Sequence, residues 1–426
     1  MRVLVIGSGG REHVIAWKIA QSAVVEKVYC VPGNPGIAQI ADCRSIRLEN
    51  NFAELADFAE TEKIDLTIVG PELPLANGLV DVFLERGLRA FGPNRKAAIL
   101  EASKDFAKQL MIDNNIPTAA HRTFDSPDAA VAYLKGINTP VFVKADGLAA
   151  GKGAISGRTQ DEAISAVEQI MVHRAFGSAG NKVVIEELLV GEEASFTVLT
   201  DGVHCIPLVS SQDHKPALDG DRGKNTGGMG AYSPAPAITP EIHSQVMNTV
   251  VYPTIRAMRE AGRPFRGVLY VGLMIDGSEV KVLEFNCRLG DPEAQVLLPR
   301  MESDLVPLLN ACVDGGLDEI SVEWKPGAAV CVVMASGGYP DAYESGKAIT
   351  GLEAANSLEG VTVFHAGTQS DSGRIVTNGG RVLGVTALAS DVSEAISRAY
   401  LGVAEIHFDA AHFRKDIGHR VLGRDS

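Results

Sequence analysis

The chain has 426 residues, enough for roughly two to four domains, and 46% of them are hydrophobic while 22% are charged. This composition is typical of a globular protein and excludes a disordered or fibrous chain. The 53 acidic residues exceed the 39 basic ones, and the net charge of −14 argues against an extended nucleic-acid or anionic-membrane partner. A small phosphorylated substrate needs only a few local donors and stays possible.

The six cysteines are scattered and form no CxxC pair and no cysteine–histidine cluster at zinc-ligand spacing. They are therefore predicted to be reduced and mostly buried thiols of a cytoplasmic protein. The opening segment MRVLVIGSGG lacks the apolar stretch of a signal peptide, and no apolar run reaches the length of about 18 residues that predicts a membrane span. We expect a cytoplasmic location.

Short apolar runs alternate with amphipathic stretches over the first hundred residues. The pattern predicts strands at 2–6, 27–31, 64–69 and 90–91, and helices at 11–21, 52–62 and 78–86. This alternation indicates βαβ units and a parallel sheet, whose ligands bind beyond the carboxyl ends of the strands. Those ends carry the loops GSGG (7–10), PGNPG (32–36), GPE (70–72) and GPN (92–94).

The first of these loops matches a dinucleotide fingerprint only in part, because Glu12 stands where a third glycine would fall. A glycine turn before a helix, with Arg11 beside it, still favours an anionic group such as phosphate. A tight turn without a ligand is the alternative.

A second α/β block follows a predicted helix at 103–114. It comprises a strand at 141–144, the glycine-rich turn ADGLAAGKG (145–153), a helix at 160–172 and a strand at 182–187. Lys144 and Lys152 flank the turn, where lysine charge and glycine backbone amides suit a polyphosphate. The segment is not a Walker A motif, and an exposed flexible hairpin is the alternative.

Acidic residues follow the last strand of this block, in EELLVGEE (186–193). A carboxylate and strand-end carbonyl groups there could accept hydrogen bonds from adenine, and a second carboxylate could accept them from ribose. Acidic turns are common, so a solvated loop is the alternative.

The strand VLEFNCR (282–288) gives the most specific chemical signal. Alternate residues of a strand share a face, so Glu284, Asn286 and Arg288 are predicted to point together. Leu283 and its alternates are predicted to face the core. A carboxylate and an amide oxygen suit Mg²⁺, and the arginine suits a carboxylate or phosphate. A half-exposed polar face is the alternative.

Two polar segments, SQDHK (211–215) and KNTGGMGAYSP (224–234), are too long for simple turns and are either functional or mobile. The last hundred residues predict strands at 328–335, 361–364 and 381–387 and a helix at 392–404. TNGGRV (377–382) carries an Asn-Gly signal that predicts a hairpin.

Taken in chain order, KADGLAAGKG, IEELLVGEEASF, NTGGMGAYSP and LEFNCRLGDPE resemble the ATP-grasp ligases, and more narrowly the phosphoribosylamine–glycine ligase family. GSGGREH, PGNPG, IVGPE and TNGGRVLGVTAL fit the same family, so the resemblance spans essentially the whole chain. It implies an α/β fold, in parts α+β, with three domains. These are an N-terminal doubly wound domain (1–103), a central ATP-grasp domain (104–320) with a mobile lid at about 117–190, and a small C-terminal α/β domain (321–426).

The resemblance also implies an activity. Glycine would be ligated to 5-phosphoribosylamine at the expense of ATP, giving glycinamide ribonucleotide, ADP and phosphate through glycyl phosphate, in the de novo synthesis of IMP. ATP and Mg²⁺ or Mn²⁺ would be the cofactors, and the two small molecules the partners, without nucleic acid or membrane. We expect a monomer.

The roles implied by the resemblance fall on four groups of residues. Those implied for ATP are Lys104, Lys144, Gly147, Gly151, Lys152, Gly153, Glu186, Glu187, the Leu188 backbone and Glu193. Those implied for the metal are Glu284 and Asn286. Those implied for catalysis, near glycine and the acyl phosphate, are Asp213, Lys215 and Arg288. Those implied for substrate binding are Gly9, Gly10, Arg11, Asn34, Pro71, Glu72, Asn225, Thr226, Gly228, Gly290 and Asp291.

The chain departs from the wider pattern at one position. Gly272 stands where many ATP-grasp enzymes carry a further acidic metal ligand. Either one metal ion suffices, or Asp291 or Glu293 substitutes. Three rival functions stay open: another ATP-grasp ligase or carboxylase, a nucleotide-dependent oxidoreductase, and a non-catalytic nucleotide sensor. The incomplete glycine fingerprint disfavours the oxidoreductase.

Overall fold

A computed structural model describes residues 1–48, 50–137, 140–149 and 152–422. Its first five strands are β1 (Arg2–Gly7), β2 (Lys27–Pro32), β3 (Asp42–Cys43), β4 (Leu66–Val69) and β5 (Ala90–Phe91). They form one parallel sheet in the order β3-β2-β1-β4-β5, which confirms the predicted N-terminal fold. The connections from β1 and β4 diverge at the centre of this order, so the loops after these two strands border a crevice suited to a ligand.

Six helices accompany this sheet. They are α1 (Gly10–Ile19), α2 (Ala53–Thr61), α3 (Glu72–Ala76), α4 (Leu79–Glu85), α5 (Arg95–Ala102) and α6 (Lys104–Asp113). The sequence does not predict α3 or α5. Ser103 ends α5 and caps α6, because its hydroxyl accepts a hydrogen bond from the Phe106 amide at 3.1 Å. This junction places Lys104 on the first turn of α6.

A four-stranded antiparallel sheet follows, termed the lid sheet. Its strands are β6 (His121–Phe124), β7 (Val141–Ala145), β8 (Ala154–Gly157) and β9 (Val183–Glu187), in the order β6-β9-β7-β8. Helices α7 (Pro127–Lys135) and α8 (Gln160–Val167) pack on it around a core of its own. The Lys104 amide donates to the Asp146 carbonyl at 3.1 Å and so ties the start of α6 to the end of β7.

The central sheet is also antiparallel. Its strands are β10 (Glu192–Thr200), β11 (Cys205–Pro207), β16 (Gly267–Asp276) and β17 (Glu279–Asn286), in the order β11-β10-β16-β17. Helices α9 (Pro240–Val246) and α10 (Tyr252–Glu260) pack against this sheet. Its apolar residues share core clusters with the N-terminal sheet, so the two sheets form one continuous packing unit.

The last large sheet joins distant parts of the chain. It contains β12 (Gln212–Asp213), β15 (Gly230–Ser233), β18 (Ala328–Ala335), β19 (Val361–His365) and β22 (Arg381–Ala389), in the order β12-β15-β18-β22-β19. The predicted boundary at residue 320 thus runs through a sheet, because β12 and β15 precede it. Helices α11 (Ala294–Leu297), α13 (Leu352–Asn356), α14 (Val392–Glu405) and α15 (His419–Leu422) lie in this part, whereas α12 (Leu305–Asp314) packs in the core shared by the N-terminal and central sheets.

Two small ribbons complete the strands, and one of them corrects a prediction. They pair β13 (Pro216–Leu218) with β14 (Arg222–Asn225), and β20 (Thr368–Asp371) with β21 (Arg374–Thr377). The predicted hairpin at 377–382 is wrong: β21 pairs back with β20, while β22 pairs with β18 and β19. The tight turn lies instead at Ser372 and Gly373, whose φ values of 50° and 78° suit a two-residue hairpin.

Short 3₁₀ or π-helical turns link several of these elements. They lie at Ile37–Gln39, Asn50–Phe52, Glu168–Val172, Gly177–Asn181, Met247–Val251, Leu298–Arg300 and Leu317–Glu319. The π-helical turn at Glu168–Val172 extends α8 to the end that the sequence predicts. Within the described residues, no helix has both the length and the apolar character needed to span a bilayer.

Candidate active site

A cavity of about 320 Å³ lies between the lid sheet and the central sheet and reaches loops of the other two sheets. Its volume falls in the range of small-molecule sites, which is roughly 300 to 1,000 Å³. Most of the predicted site residues line it. They are Arg11, Glu72, Lys104, Lys144, Gly153, Glu186, Glu187, Glu193, Asp213, Lys215, Asn225, Thr226, Glu284, Asn286, Arg288, Gly290 and Asp291.

One end of the cavity, termed the lysine end, comprises Lys104, Lys108, Lys144 and Glu186. Glu186 Oε2 accepts hydrogen bonds from Lys144 Nζ at 2.9 Å and from Lys108 Nζ at 3.0 Å. Lys104 Nζ donates to the Gly147 carbonyl at 3.1 Å, at the start of the glycine-rich turn. Lys104 therefore lies beside that turn, and the positive charge of the three ammonium groups suits a polyphosphate.

Burial and mutual repulsion shift the pKa values of the residues at the lysine end. Burial lowers the pKa of Lys108 to about 8, although Glu186 opposes the shift. Burial likewise lowers the pKa of Lys104. Burial raises the pKa of Glu186, but Lys144 and Lys108 outweigh it and hold the value below the usual range. Glu186 is thus an ionised carboxylate, and its Oε1 has no hydrogen-bond partner among the described residues.

The central strand pair presents Glu284 and Asn286 to the cavity. In the register of β16 and β17, Glu284 lies opposite Gly272 and Asn286 opposite Tyr270. An irregularity in this register leaves Leu283 without a partner, so the alternation shifts by one residue. The prediction that Leu283 faces the core is therefore wrong: it is half-buried and lines the cavity.

The chemistry of this pair fits a divalent cation. No described residue donates a hydrogen bond to the Glu284 carboxylate, and the Asn286 amide oxygen has only a long contact of 3.4 Å from Arg288. Burial raises the pKa of Glu284, but Lys215, Lys144 and Lys104 keep it below its usual value. An ionised, unengaged carboxylate beside an amide oxygen is the hard oxygen set that Mg²⁺ favours.

Gly272 packs closely against two residues of the cavity. A Cβ atom at Gly272 would lie 3.2 Å from Cγ of Glu284 and 3.7 Å from Cε1 of Tyr270. Of the two predicted substitutes, Asp291 is bonded to Arg381 at 3.2 Å and to Gln295 at 2.7 Å. Glu293 accepts a hydrogen bond from Ser195 at 3.2 Å. Both carboxylates are thus engaged within the protein.

A second group of cavity residues, termed the carboxylate end, comprises Glu72, Glu101, Arg288, Asp291 and Arg381. Arg288 pairs with Glu72 at 3.2 Å and with Glu101 at 3.1 Å. Glu101 also accepts a hydrogen bond from the Cys287 amide at 2.8 Å, which fixes the end of β17. Arg381 Nη1 donates to the carbonyls of Asp291 and Gly227 at 2.6 and 2.8 Å. Two guanidinium groups therefore hold this end together.

The N-terminal glycine turn adjoins the carboxylate end but does not offer all its amides. The Gly9 amide donates to Glu12 Oε2 at 2.7 Å, and Arg11 Nε donates to the other oxygen of Glu12 at 2.6 Å. Arg11 also lies 3.9 Å from Glu72. Gly10 packs so closely that a Cβ there would lie 2.5 Å from Nε2 of Gln295.

Asn34 and Pro71 act on neighbouring loops and do not line the cavity. The Asn34 amide group donates to the carbonyls of Ser8 and His365, at 2.8 and 2.9 Å. Its side-chain oxygen accepts hydrogen bonds from the backbone amides of residues 36 and 37. The hydrogen bonds of this side chain to described residues thus all join it to backbone groups of the protein. Pro71 precedes the first turn of α3 and thereby orients Glu72.

The predicted ATP loop is only partly within the described residues, since Gly151 lies outside them. Lys152 points away from the cavity: its Nζ donates to the Pro340 carbonyl at 3.0 Å and lies 5.6 Å from the Tyr339 ring centre. The Leu188 amide donates to the Pro140 carbonyl at 3.2 Å, so this donor is engaged. Leu189, not Leu188, lines the cavity.

Asp213 and Lys215 border the middle of the cavity. Lys215 Nζ pairs with Glu193 Oε2 at 2.7 Å, and the Lys215 carbonyl accepts a hydrogen bond from the Thr226 hydroxyl at 2.7 Å. Gly228 has a φ of 115°, and a Cβ there would lie 2.5 Å from Cδ of Pro292, so only glycine fits. Burial raises the pKa of Asp213 to about 7.

Several cavity residues escape the sequence analysis. Lys108 lies four residues after Lys104 on one helix face, a spacing that could have indicated it. Arg381, Glu101 and Tyr270 carry no local signal, because they reach the cavity only through contacts between distant segments.

Family models match nearly the whole chain. The three models are described as the phosphoribosylglycinamide synthetase N domain, ATP-grasp (A) domain and C domain, and they match residues 1–101, 102–294 and 329–420. The chain is 53% identical over 428 residues to the phosphoribosylamine–glycine ligase of Allochromatium vinosum, covering 100% of both chains. It is 51% identical over 427 residues to that of Vibrio parahaemolyticus, covering 100% of this chain and 99% of the relative.

Two solved structures resemble the fold of this chain. The crystal structure of phosphoribosylamine–glycine ligase from Thermotoga maritima superposes with a TM-score of 0.85 at 32% identity, covering 98% of this chain and 100% of the other. The biotin carboxylase domain of 2-oxoglutarate carboxylase from Hydrogenobacter thermophilus gives a TM-score of 0.73 at 17% identity, covering 97% and 91%. The second likeness shows a shared fold alone.

Proposed function

Since the chain belongs to the phosphoribosylglycinamide synthetase family, it is an ATP-grasp ligase, and we propose that it joins glycine to 5-phosphoribosylamine. The reaction consumes ATP and gives glycinamide ribonucleotide, ADP and phosphate, a step of purine biosynthesis. The observation that supports this most directly is the convergence of Lys104, Lys144, Glu186, Glu284 and Asn286 on one cavity.

The lysine end suits ATP. Lys104 and Lys144 would neutralise the phosphates, and the turn at 147–153, with Gly147, Gly151, Lys152 and Gly153, would cover them. Glu186, Glu187 and the Leu188 segment would lie at the adenine and Glu193 at the ribose. Because the Leu188 amide already donates to Pro140, only its carbonyl is free to serve the adenine.

Glu284 and Asn286 would hold one Mg²⁺ ion, with Mn²⁺ as an alternative. When bound, the cation neutralises charge on the phosphate oxygens. The neighbouring lysines keep Glu284 ionised.

The chemistry is a two-step acyl activation. The carboxylate of glycine takes the γ-phosphoryl group of ATP to form glycyl phosphate and ADP. The amine of 5-phosphoribosylamine then attacks the acyl carbon, the amide bond forms and phosphate leaves. Arg288 and Lys215, with Asn225, Thr226 and Gly228, would position glycine and the acyl phosphate, and Asp213 would lie near them. The protein contributes orientation and charge, not a covalent nucleophile.

The ribosyl amine would occupy the carboxylate end. Gly9, Gly10, Arg11, Asn34, Pro71, Glu72, Gly290 and Asp291 border that end or support its loops. Asn34 would act by holding the loop after β2 against Ser8, since its own hydrogen bonds are internal.

The test is ADP release by the purified chain. We expect release only when glycine and 5-phosphoribosylamine are both present with MgATP. Comparable release with bicarbonate in place of glycine would contradict the proposal and favour a carboxylase. We further propose that the chain acts as a monomer in the cytoplasm, which sedimentation of the purified protein and its fractionation from cells would check.

A further inference from the structure

Nine carboxylates line the described part of the cavity, and they differ in what they bind. Seven accept a hydrogen bond or ion pair from a described residue: Glu72, Glu101, Glu186, Glu187, Glu193, Asp291 and Glu293. The two without such a partner are Glu284 and Asp213. Glu284 is the proposed metal ligand, so Asp213 is the one carboxylate in this part of the cavity without an assigned partner.

The position of Asp213 is fixed although its carboxylate is not engaged. The residue is 6% exposed, and its backbone lies in β12, opposite Ala231 of β15. Its carbonyl accepts a hydrogen bond from Arg420 Nη1 at 3.2 Å. The backbone is therefore held from two sides while the side chain faces the cavity.

The second step of the proposed reaction releases a proton that needs an acceptor. When the neutral amine attacks the acyl carbon, a C–N bond forms and the nitrogen becomes cationic. The C–O bond to phosphate then breaks, and phosphate leaves with the electron pair. Loss of one proton from nitrogen completes the neutral amide, and a positioned base accelerates such a transfer.

We propose that Asp213 is the general base that accepts this proton, an inference that rests on the proposed ligase function. The proton passes from the attacking nitrogen to a carboxylate oxygen of Asp213. Water entering the open cavity after product release then takes it away.

The groups around Asp213 adjust it to this task. Burial raises its pKa to about 7, and Lys215 opposes the shift while Glu293 and Glu193 support it. Arg420 contributes a smaller lowering of this pKa, and Asp213 in turn raises the pKa of Tyr270. A base with a pKa near neutrality is ionised often enough to accept a proton and basic enough to keep it.

The rival carboxylates are engaged by other groups of the protein. Burial raises the pKa of Glu101, but this carboxylate is bonded to Arg288 at 3.1 Å and to the Cys287 amide at 2.8 Å. Burial raises the pKa values of Glu72 and Asp291, but arginines outweigh it and hold both below the usual range. Glu293 is bonded to Ser195, which in turn contacts the Tyr270 hydroxyl at 2.8 Å. Each rival would have to give up an internal bond to reach the amine.

The experiment separates the two steps in wild-type protein and in the variant Asp213→Asn. The first step is followed with ATP labelled with oxygen-18 in the β–γ bridge, in the presence of glycine and ribose 5-phosphate. Ribose 5-phosphate has a hydroxyl group in place of the amine, so label scrambling reports reversible phosphoryl transfer to glycine alone. The complete reaction is followed as glycinamide ribonucleotide formed from 5-phosphoribosylamine.

We expect Asp213→Asn to keep the scrambling rate within about threefold of wild type while amide formation falls about 100-fold at about pH 8. Asp213→Glu should restore part of the amide formation. In wild type, amide formation should decline below about pH 7 while scrambling does not. The matched control Asp371→Asn, on the exposed β20–β21 ribbon, should change neither rate.

Each other outcome contradicts the inference. An equal loss of both rates in Asp213→Asn would assign the residue to substrate positioning, and turnover within about threefold of wild type would remove it from the chemistry. A loss of amide formation in Glu293→Gln but not in Asp213→Asn would assign the base to Glu293. If wild type neither scrambled the label in a glycine-dependent way nor formed glycinamide ribonucleotide, the ligase function itself would be contradicted, and the inference would fall with it.

Discussion

The lysine end and the carboxylate end of the cavity differ in the type of cation they contain and in how many of their charges are paired. At the lysine end, two ammonium groups bind one carboxylate and a third, that of Lys104, bonds a backbone carbonyl, while burial lowers the pKa values of Lys104 and Lys108. At the carboxylate end, Arg288 and Arg381 bind three carboxylates by ion pairs of 3.1 to 3.2 Å. The first end therefore has cationic charge to share with an anion, whereas the second is already neutralised and rigid.

This difference indicates what each end is built for. Lysine is a compact charge on a flexible stem and can follow a phosphate that moves during the reaction. Arginine is a planar fork that fixes its partners in one geometry, which suits the orientation of a nucleophile. The four predictions below test this division, in order of decreasing effect.

The largest effect should follow removal of charge between the two ends. Glu284→Gln keeps the shape of the side chain but leaves the cation site without its carboxylate. We expect kcat to fall by about 1,000-fold or more, since charge neutralisation at the phosphates is lost. The measurement is glycine-dependent ADP release. Activity within tenfold of wild type would remove Glu284 from the site.

A smaller and selective effect is expected at the carboxylate end. Arg381→Ala removes the hydrogen bonds to the carbonyls of Asp291 and Gly227 and leaves the Asp291 carboxylate without its cation. We expect KM for 5-phosphoribosylamine to rise about tenfold, while KM for ATP changes less than about twofold. A larger change for ATP than for the amine would show that the two ends are not separate.

The lysine end predicts a pH dependence of stability. The Lys108 pKa falls from 10.5 in the unfolded chain to about 8 in the folded protein, so the unfolded state binds more protons between these values. Stability contributed by this site therefore rises as pH increases from about 8 to about 10.5. Lys108→Met removes the desolvation cost of the buried ammonium group, so we expect the variant to be more stable than wild type near pH 8. This difference in the free energy of unfolding should shrink as the pH rises to about 10.5, because Lys108 of the folded wild type is then neutral. Chemical denaturation of both proteins at several pH values measures it, and a constant difference would contradict the shift.

The smallest effect concerns the helix that carries Lys104. Ser103→Ala removes the cap of α6, and we expect a loss of about 1 kcal/mol in the free energy of unfolding. Asn94→Ala removes the equivalent cap of α5, away from the lysine end, and should cost a similar amount. Only Ser103→Ala should raise KM for ATP, because Ser103 also bonds Asp146 beside the glycine-rich turn. Equal KM values for both variants would contradict that link.

The sequence predicts those features that depend on neighbours in the chain. The parallel N-terminal sheet follows from alternating apolar runs, and the convergence of Glu284, Asn286 and Arg288 follows from the period of a strand. Leu283 breaks that period because β17 is irregular opposite Gly272 and Leu273, and no local signal indicates such a bulge. The prediction of a hairpin at 377–382 is wrong for a similar reason. Strand β22 pairs with β18 and β19 of the large sheet, and these pairings involve distant parts of the chain.

Contacts between distant segments could not be predicted from local patterns. Arg381 reaches Asp291 across 90 positions, and Glu101 reaches the Cys287 amide across 186. The sequence also does not reveal that Asn34 and the Gly9 amide already have hydrogen-bond partners. In the folded chain, Asn34 bonds the Ser8 carbonyl and the Gly9 amide bonds Glu12. A glycine turn indicates where an anion fits, but only the structure shows which amides are still free.

The central claim is that Lys144 and Glu284, separated by 140 positions, act on one nucleotide. Calorimetric titration with a non-hydrolysable MgATP analogue tests it most directly. We predict one site per wild-type chain, binding weakened by about tenfold or more in both Lys144→Ala and Glu284→Gln, and no change in the control Lys347→Ala, a residue that does not line the cavity. Wild-type affinity in both cavity variants would contradict the account.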